Sequence, residues 1–292
     1  MEKDSIGNFC KGKFASVGYP DELGVKNVNG RLGTQAGPAR FFEIFNKLNG
    51  KVDLKPAQVA HLMVEMGEDL GANHQQATED TRSLIDQMDL TQDALLAVGG
   101  GHDYAYPWLK AFAESKPEGM RIACLNIDAH FDLRPYKPIM TSGSPFRRLI
   151  EEKLLNPALF VEFGIQSHCN SAVLFQYAED QGMSVIPFES LRNGNAVDGF
   201  RESLQMLHEK SDLILISLDL DALSFAFAPG VSAPQAEGFT ASEVFQMLEI
   251  AGSDKKVTSL GIFELAPALD TQDLTSRLAA QAAWHFLSAK LQ

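Results

Sequence analysis

Short β-rich runs alternate with amphipathic helical stretches from one end of this chain to the other. The runs are Phe14–Val17, Ala94–Val98, Arg121–Ile127, Leu159–Gly164, Ser184–Pro187, Leu213–Leu218 and Ser259–Phe263. Between them, helical spacing appears at Pro38–Asn49, Gln75–Met88, Tyr106–Ser115, Ser144–Lys153, Ser171–Gln181, Val197–Glu209 and Ala241–Gly252, with a last helix from about Leu274 to Ala289. Strand–helix alternation predicts an α/β fold, a mostly parallel sheet covered by helices on both faces. The stretch from Lys51 to Gly71 fits neither pattern. No repeat, low-complexity tract or linker divides the chain, so a single domain over residues 1–292 is expected.

Three polar segments interrupt this apolar plan, each directly after a predicted strand: Gly99-Gly-Gly-His102-Asp103, Asp128-Ala-His130-Phe-Asp132 and Ser217-Leu-Asp219-Leu-Asp221. Side chains two apart on a strand share a face, so Asp128, His130 and Asp132 emerge together, as do Asp219 and Asp221. With the three strands side by side, two histidines and four aspartates would meet at the carboxyl end of the sheet, where ligands of such folds bind. Four clustered carboxylates repel one another unless cations lie between them. Nitrogen and oxygen ligands without a thiolate suit two manganese-like divalent ions better than structural zinc. Taken singly, an Asp or His after a strand is commonly a cap or turn residue. All three together are not explained that way. A metallophosphatase shares the Asp-x-His start but needs later Gly-Asp and Gly-Asn-His segments, which are absent here.

Composition narrows the partners. The formal charge of −13 disfavours nucleic acid and anionic membranes. No apolar run approaches the ~18 residues of a membrane span, and the N-terminal residues lack a secretory pattern. Cys10, Cys124 and Cys169 are three in number and unpatterned, which argues for a reducing, cytoplasmic setting.

With its opening Gly18-Tyr-Pro-Asp21-Glu-Leu-Gly24-Val25, then Asn29-Gly-Arg31-Leu-Gly33 and Ala36-Gly37-Pro38, the chain resembles the ureohydrolase family of arginases, agmatinases and formimidoylglutamases. The three polar segments match that family's metal motifs. The resemblance implies a three-layer α/β/α sandwich and two Mn2+ ions. His102, Asp128, Asp132 and Asp219 would hold one; Asp128, His130, Asp219 and Asp221 would hold the other. It also implies a homo-oligomer, trimer or hexamer.

Four further stretches look like formimidoylglutamase: Asp128 to Pro135, Thr141 to Phe146, Gly164 to Asn170, and Ala228 to Pro234. Arginases and agmatinases carry a proton-shuttling histidine near the second of these, and neither Ser142 nor Phe146 is one. The expected reaction is therefore hydrolysis of N-formimidoyl-L-glutamate to L-glutamate and formamide by a metal-bridging hydroxide. Asp221 and Glu264 are the expected catalytic residues, Asp221 moving the proton and Glu264 pairing with the cationic amidine. Arg134 and Asn170 are the candidates for the glutamate end, with Arg147 and Arg148 as alternatives. His61, His74, His208 and His285 are expected to be structural or exposed, without partners. A urea-releasing guanidino hydrolase and a non-catalytic family member are the competing expectations.

Overall fold

The computed structural model describes residues 13–49, 54 and 61–292, so Cys10, the extreme N-terminus and much of the unread 51–71 stretch lie outside it. The described residues form eight strands: β1 Phe14–Tyr19, β2 His61–Met63, β3 Ala94–Gly99, β4 Ile122–Ile127, β5 Phe160–Ile165, β6 Ser184–Pro187, β7 Leu213–Asp219 and β8 Val257–Phe263. All pair in parallel in one sheet of order β2-β1-β3-β8-β7-β4-β5-β6. The helices are α1 Leu23–Asn27, α2 Gly37–Phe45, α3 Leu70–Ile85, α4 Ala105–Ser115, α5 Pro145–Glu151, α6 Ala172–Asp180, α7 Phe188–Leu191, α8 Ala196–Lys210, α9 Ala241–Ser253 and α10 Leu274–Lys290.

Alternate strand residues feed two separate cores. Along β3, Ala94, Leu96 and Val98 join Phe41 of α2, Phe200 of α8, Met247 of α9 and Phe286 of α10 on one face. Leu95 and Ala97 join Ala77 of α3, Trp108 of α4, Leu149 of α5 and Leu174 of α6 on the other. This is the three-layer α/β/α sandwich, and it explains why the central strands are apolar throughout: both faces are covered. Local chemistry sets the helix starts. Thr240 and Glu243 form a capping box ahead of α9, and Pro145 occupies the first turn of α5.

Several elements depart from expectation, and the short helices α1 and α7 have no counterpart in the predicted pattern. Strand β2 lies in the stretch that has no readable pattern; it is three residues long and sits at the sheet edge, too short to show periodicity. Helix α3 begins five residues earlier than its apolar spacing suggests, because Asp69 caps it by accepting from the Ala72 N–H at 2.7 Å.

The strand order also corrects the picture of three adjacent strands. β8 separates β3 from β7, and only β7 and β4 are neighbours among the three. The chain leaves β3 and skips two places to β4, and β7 and β8 later fill the gap. That reversal is the kind of position where α/β sheets bind ligands. The polar segments follow β3, β4 and β7, and β8 delivers a fourth, Glu264.

Phe200 is fully buried and meets Phe163 edge-on with ring centroids 5.7 Å apart. Phe200→Ala should cost about 3–5 kcal/mol, read from denaturant unfolding of the metal-free protein, and a loss below about 1 kcal/mol would contradict this packing.

Candidate metal centre

Around His102 Nδ1 stand three carboxylate oxygens: Asp128 Oδ2 at 3.1 Å, Asp132 Oδ2 at 3.0 Å and Asp219 Oδ2 at 3.0 Å. All four residues are buried, and Nδ1 has no hydrogen-bond partner despite this company. The other ring nitrogen, Nε2, lies 2.8 Å from Ser217 Oγ. A neutral ring donating from Nε2 to Ser217 turns a bare Nδ1 lone pair toward three carboxylates, the form in which histidine ligates a metal. In a buried site that arrangement is repulsive until a cation enters it, and an Nε2 partner is the usual support of a metal-ligating histidine. The ring is held in place by Phe263, stacked at 4.8 Å, and by Phe146, edge-on at 5.5 Å.

A second group adjoins the first. His130 Nδ1 is 3.1 Å from Asp221 Oδ2 and 3.6 Å from Asp128 Oδ1. Asp128 thus turns one oxygen to each group, the geometry of a bridging ligand. Two sets gather closely enough to share an ion, His102–Asp128–Asp132–Asp219 and Asp128–His130–Asp221. Asp219 is placed with the first set alone; its Oδ1 accepts from the Asp221 N–H at 2.8 Å.

The electrostatics show the same need for positive charge. Burial pushes Asp132 and Asp219 up. Burial also pushes Asp221 up to about 7, although His130 works against the rise. Burial and the nearby Asp219 charge push Glu264 up to about 8. Burial opposes the ionised form of Asp128 too, but the two imidazoles hold it below its ordinary value. For His102 and His130, burial favours the neutral ring and the surrounding carboxylates outweigh it, raising both. Without metal, crowding and burial favour protonation across the cluster.

Glu264 follows β8 directly. Its N–H donates to the Gly100 carbonyl at 2.9 Å, and its Oε1 accepts from the His102 N–H at 2.8 Å. Oε2 is buried without a partner, as is Asp221 Oδ1. Asp132 and Glu264 hold positive φ, 49° and 68°, a conformation that costs a non-glycine residue about 1–2 kcal/mol and so marks a constrained site. The glycine run has a steric cause: a Cβ at Gly100 would lie 1.8 Å from the Asp21 carbonyl oxygen.

A cavity of about 290 Å³ opens over both groups, lined by His130, Asp132, Asp219, Asp221 and Glu264, and by Arg31, Arg134, Ser142, Gly143, Asn170 and Ser232 among others. A model of the arginase family matches residues 13–288. The chain belongs to the arginase family. A formimidoylglutamase of Macrococcus caseolyticus is 32% identical over 262 residues, covering 90% of this chain and 80% of that one. The crystal structure of formimidoylglutamase from Bacillus subtilis superposes with a TM-score of 0.85 at 25% identity, covering 97% of this chain and 88% of that one. A structure of formiminoglutamase from Trypanosoma cruzi with Mn2+ gives 0.82 at 26% identity, covering 94% and 92%.

Within this arginase-family pocket the residues expected from sequence fall into distinct positions. All six expected metal ligands belong to the two groups. Of the two positions weighed for the missing histidine, Ser142 lines the cavity, whereas Phe146 lies behind His102. Asn170 lines the cavity too, but donates both amide hydrogens to the carbonyls of Ala129 and Gln166 and accepts from the Phe131 N–H. Arg147 and Arg148 pair with Glu151 and Glu152 and stack on Tyr177 and Tyr106, away from the cavity. The four histidines expected to lack partners all have one: His61 with Ser16, His74 with Asp103, His208 with Asp254 and His285 with Glu249. Their partners are distant in sequence, so spacing could not reveal them.

Sequence reasoning missed Ser217 and a polar chain behind Asp128. Asn126 Nδ2 lies 3.2 Å from Asp128 Oδ2 and 3.0 Å from Glu162 Oε2. Burial pushes Glu162 well above its ordinary value. A glutamate inside the apolar run Phe160–Ile165 was the available signal.

The raised groups have one sign. Asp221 and Glu264 keep in the fold protons that the unfolded chain releases near pH ~4, and His102 and His130 keep theirs above the ordinary ~6.5. The metal-free protein should therefore lose stability as pH rises from 5 to 8. Added Mn2+ should raise Tm by an increment that grows over that range. A metal-free Tm that climbs with pH, or an Mn2+ increment that shrinks, would contradict this account.

Proposed function

We propose that this chain is a binuclear-manganese hydrolase that cleaves N-formimidoyl-L-glutamate to L-glutamate and formamide. The observation that carries the reading is the unpartnered, buried Glu264 Oε2 facing a cavity that also holds two metal-ligand groups and has Ser142 in place of a histidine. A carboxylate oxygen so placed calls for the N–H of a planar cation, and an amidinium supplies it. The names of the relatives support the choice of formimidoylglutamate.

His102, Asp128, Asp132 and Asp219 would hold one ion, and Asp128, His130 and Asp221 the other, with Asp219 as a further ligand by family resemblance. Two manganese ions held there supply a water acidic enough to lose a proton near neutral pH. Glu264 Oε2 accepts from the amidinium and sets its carbon toward that water. Asp221 Oδ1, buried and free, takes the water's proton. As the water oxygen adds to the amidine carbon and the bond to the glutamate nitrogen breaks, Asp221 returns its proton to that nitrogen and the adduct's hydroxyl proton follows, so the amidinium's charge leaves on the glutamate ammonium and neutral formamide is released. Arg134 faces the glutamate end, and Asn170 shapes the wall beside it. The same reading treats residues 1–292 as one domain working in a trimer or hexamer, which sedimentation tests directly; a monomer would set the oligomer aside.

Two outcomes are expected. The manganese-loaded protein, offered N-formimidoylglutamate, arginine, agmatine and guanidino acids, should release formamide from the first and little urea from the rest. Urea as the main product would favour a guanidino hydrolase, and inactivity on the whole panel a binding role. Asp221→Asn should lower kcat at least ~100-fold with the thermal unfolding profile of the fold retained; near-normal turnover would remove Asp221 from the mechanism.

A further inference from the structure

The cavity is acidic, yet two arginines open into it. Seven of the ten arginines pair with a carboxylate among the described residues; Arg31 and Arg134, the two that line the cavity, do not. They enter from two separate loops, Arg31 from the one after α1 and Arg134 from the one after β4.

Arg31 is braced by main chain alone. Its Nε donates to the Ser232 carbonyl at 3.4 Å, and its Nη2 donates to the carbonyls of Pro229, at 3.2 Å, and Val231. These bonds use three of the five guanidinium hydrogens and leave both on Nη1 uncommitted. The group is thus fixed in place while its charge stays unanswered. Arg134 has the opposite character. Its side chain makes no hydrogen bond among the described residues, and its stem lies over Gly143, where an added Cβ would come within 3.0 Å of Arg134 Cδ. One arginine is anchored and the other adaptable.

We infer that Arg31 and Arg134 each read one of the substrate's two carboxylates, which makes Arg31 a specificity-determining residue. The inference rests on the formimidoylglutamate reading and deepens it. Among the candidate substrates, N-formimidoylglutamate carries two carboxylates, arginine one and agmatine none. The two carboxylates of such a substrate, entering a cavity lined by aspartates and Glu264, meet repulsion from those groups even though its amidinium does not. Two guanidinium forks matched to the two carboxylates offset that repulsion and favour the dicarboxylate over its competitors.

The test uses manganese-loaded wild type, Arg31→Gln and Arg134→Gln on three compounds. These are N-formimidoyl-L-glutamate, N-formimidoyl-L-norvaline, which lacks the side-chain carboxylate, and N-formimidoyl-γ-aminobutyrate, which lacks the α-carboxylate. Each variant should raise KM for the full substrate roughly 10- to 100-fold, the range for a lost charge-assisted contact, with kcat changed less than about 3-fold. Each should also show no further penalty on the one truncated compound that lacks its carboxylate, and the two variants should answer to different compounds. A penalty that persists on both truncated compounds, or a loss confined to kcat, means that Arg31 only braces the 229–232 loop, and overturns the inference. Should a variant fail to fold, the wild type decides: its KM must rise for both truncated compounds, and an unchanged KM for either overturns the inference. Turnover of the full substrate with both variants unaffected overturns this inference alone. No turnover by the wild type overturns the proposed function and this inference with it.

Discussion

Mutual repulsion among buried carboxylates is the constraint on which the rest of this structure depends. Asp128, Asp132, Asp219, Asp221 and Glu264 are all buried at the carboxyl ends of neighbouring strands. Two histidines among them do not neutralise that charge. Either protons or cations must do so, and burial raises the Asp221 and Glu264 carboxyls in the direction that favours protons where no metal is bound. A divalent ion set among His102 and its three oxygens gives the bare Nδ1 a partner and relieves the carboxylates at once. The cost of assembling the cluster is thus offset by the ligand it is built to hold.

The sheet supplies the rigidity that this arrangement needs. Four contiguous strands, β3, β8, β7 and β4, deliver the ligands, and parallel pairing fixes their ends at one level. Gly100 lets the turn after β3 pass against the Asp21 main chain, while Gly99 and Gly101 make room for Phe263 and for Asp103 and Val25. The strained backbone at Asp132 and Glu264 is tolerated because the surrounding pairing over-determines it. Phe146 and Phe263 clamp the His102 ring and fix the direction of its Nδ1.

Much of this was legible in the chain itself, for physical reasons that also explain the gaps. Alternating apolar runs revealed the parallel sandwich, since doubly covered strands must be apolar throughout. The polar segments after apolar runs pointed to the cluster, but 128–132 is loop, not strand, and it sends Asp132 and His130 to different groups. Strand order was hidden, because nothing in the Ser259–Phe263 run says that it inserts between β3 and β7. Strand β2 was too short to carry a period. The partners of the four isolated histidines, and the bond from Ser217 to His102, join residues 29 to 115 positions apart, and only the folded chain brings them together. Arg31 stood in view within the Asn29–Gly33 motif, but its lack of a carboxylate partner is a property of space, not of sequence.

The central claim is that one carboxylate, Asp128, joins two cation sites into one centre. Equilibrium dialysis of the chelator-stripped protein against Mn2+ tests it most directly. Two ions per chain are expected for the wild type, one for His130→Ala and none bound tightly for Asp128→Ala, each variant checked for an intact fold by circular dichroism. A single ion per wild-type chain, or an Asp128→Ala variant that keeps one ion at wild-type affinity, would contradict the account.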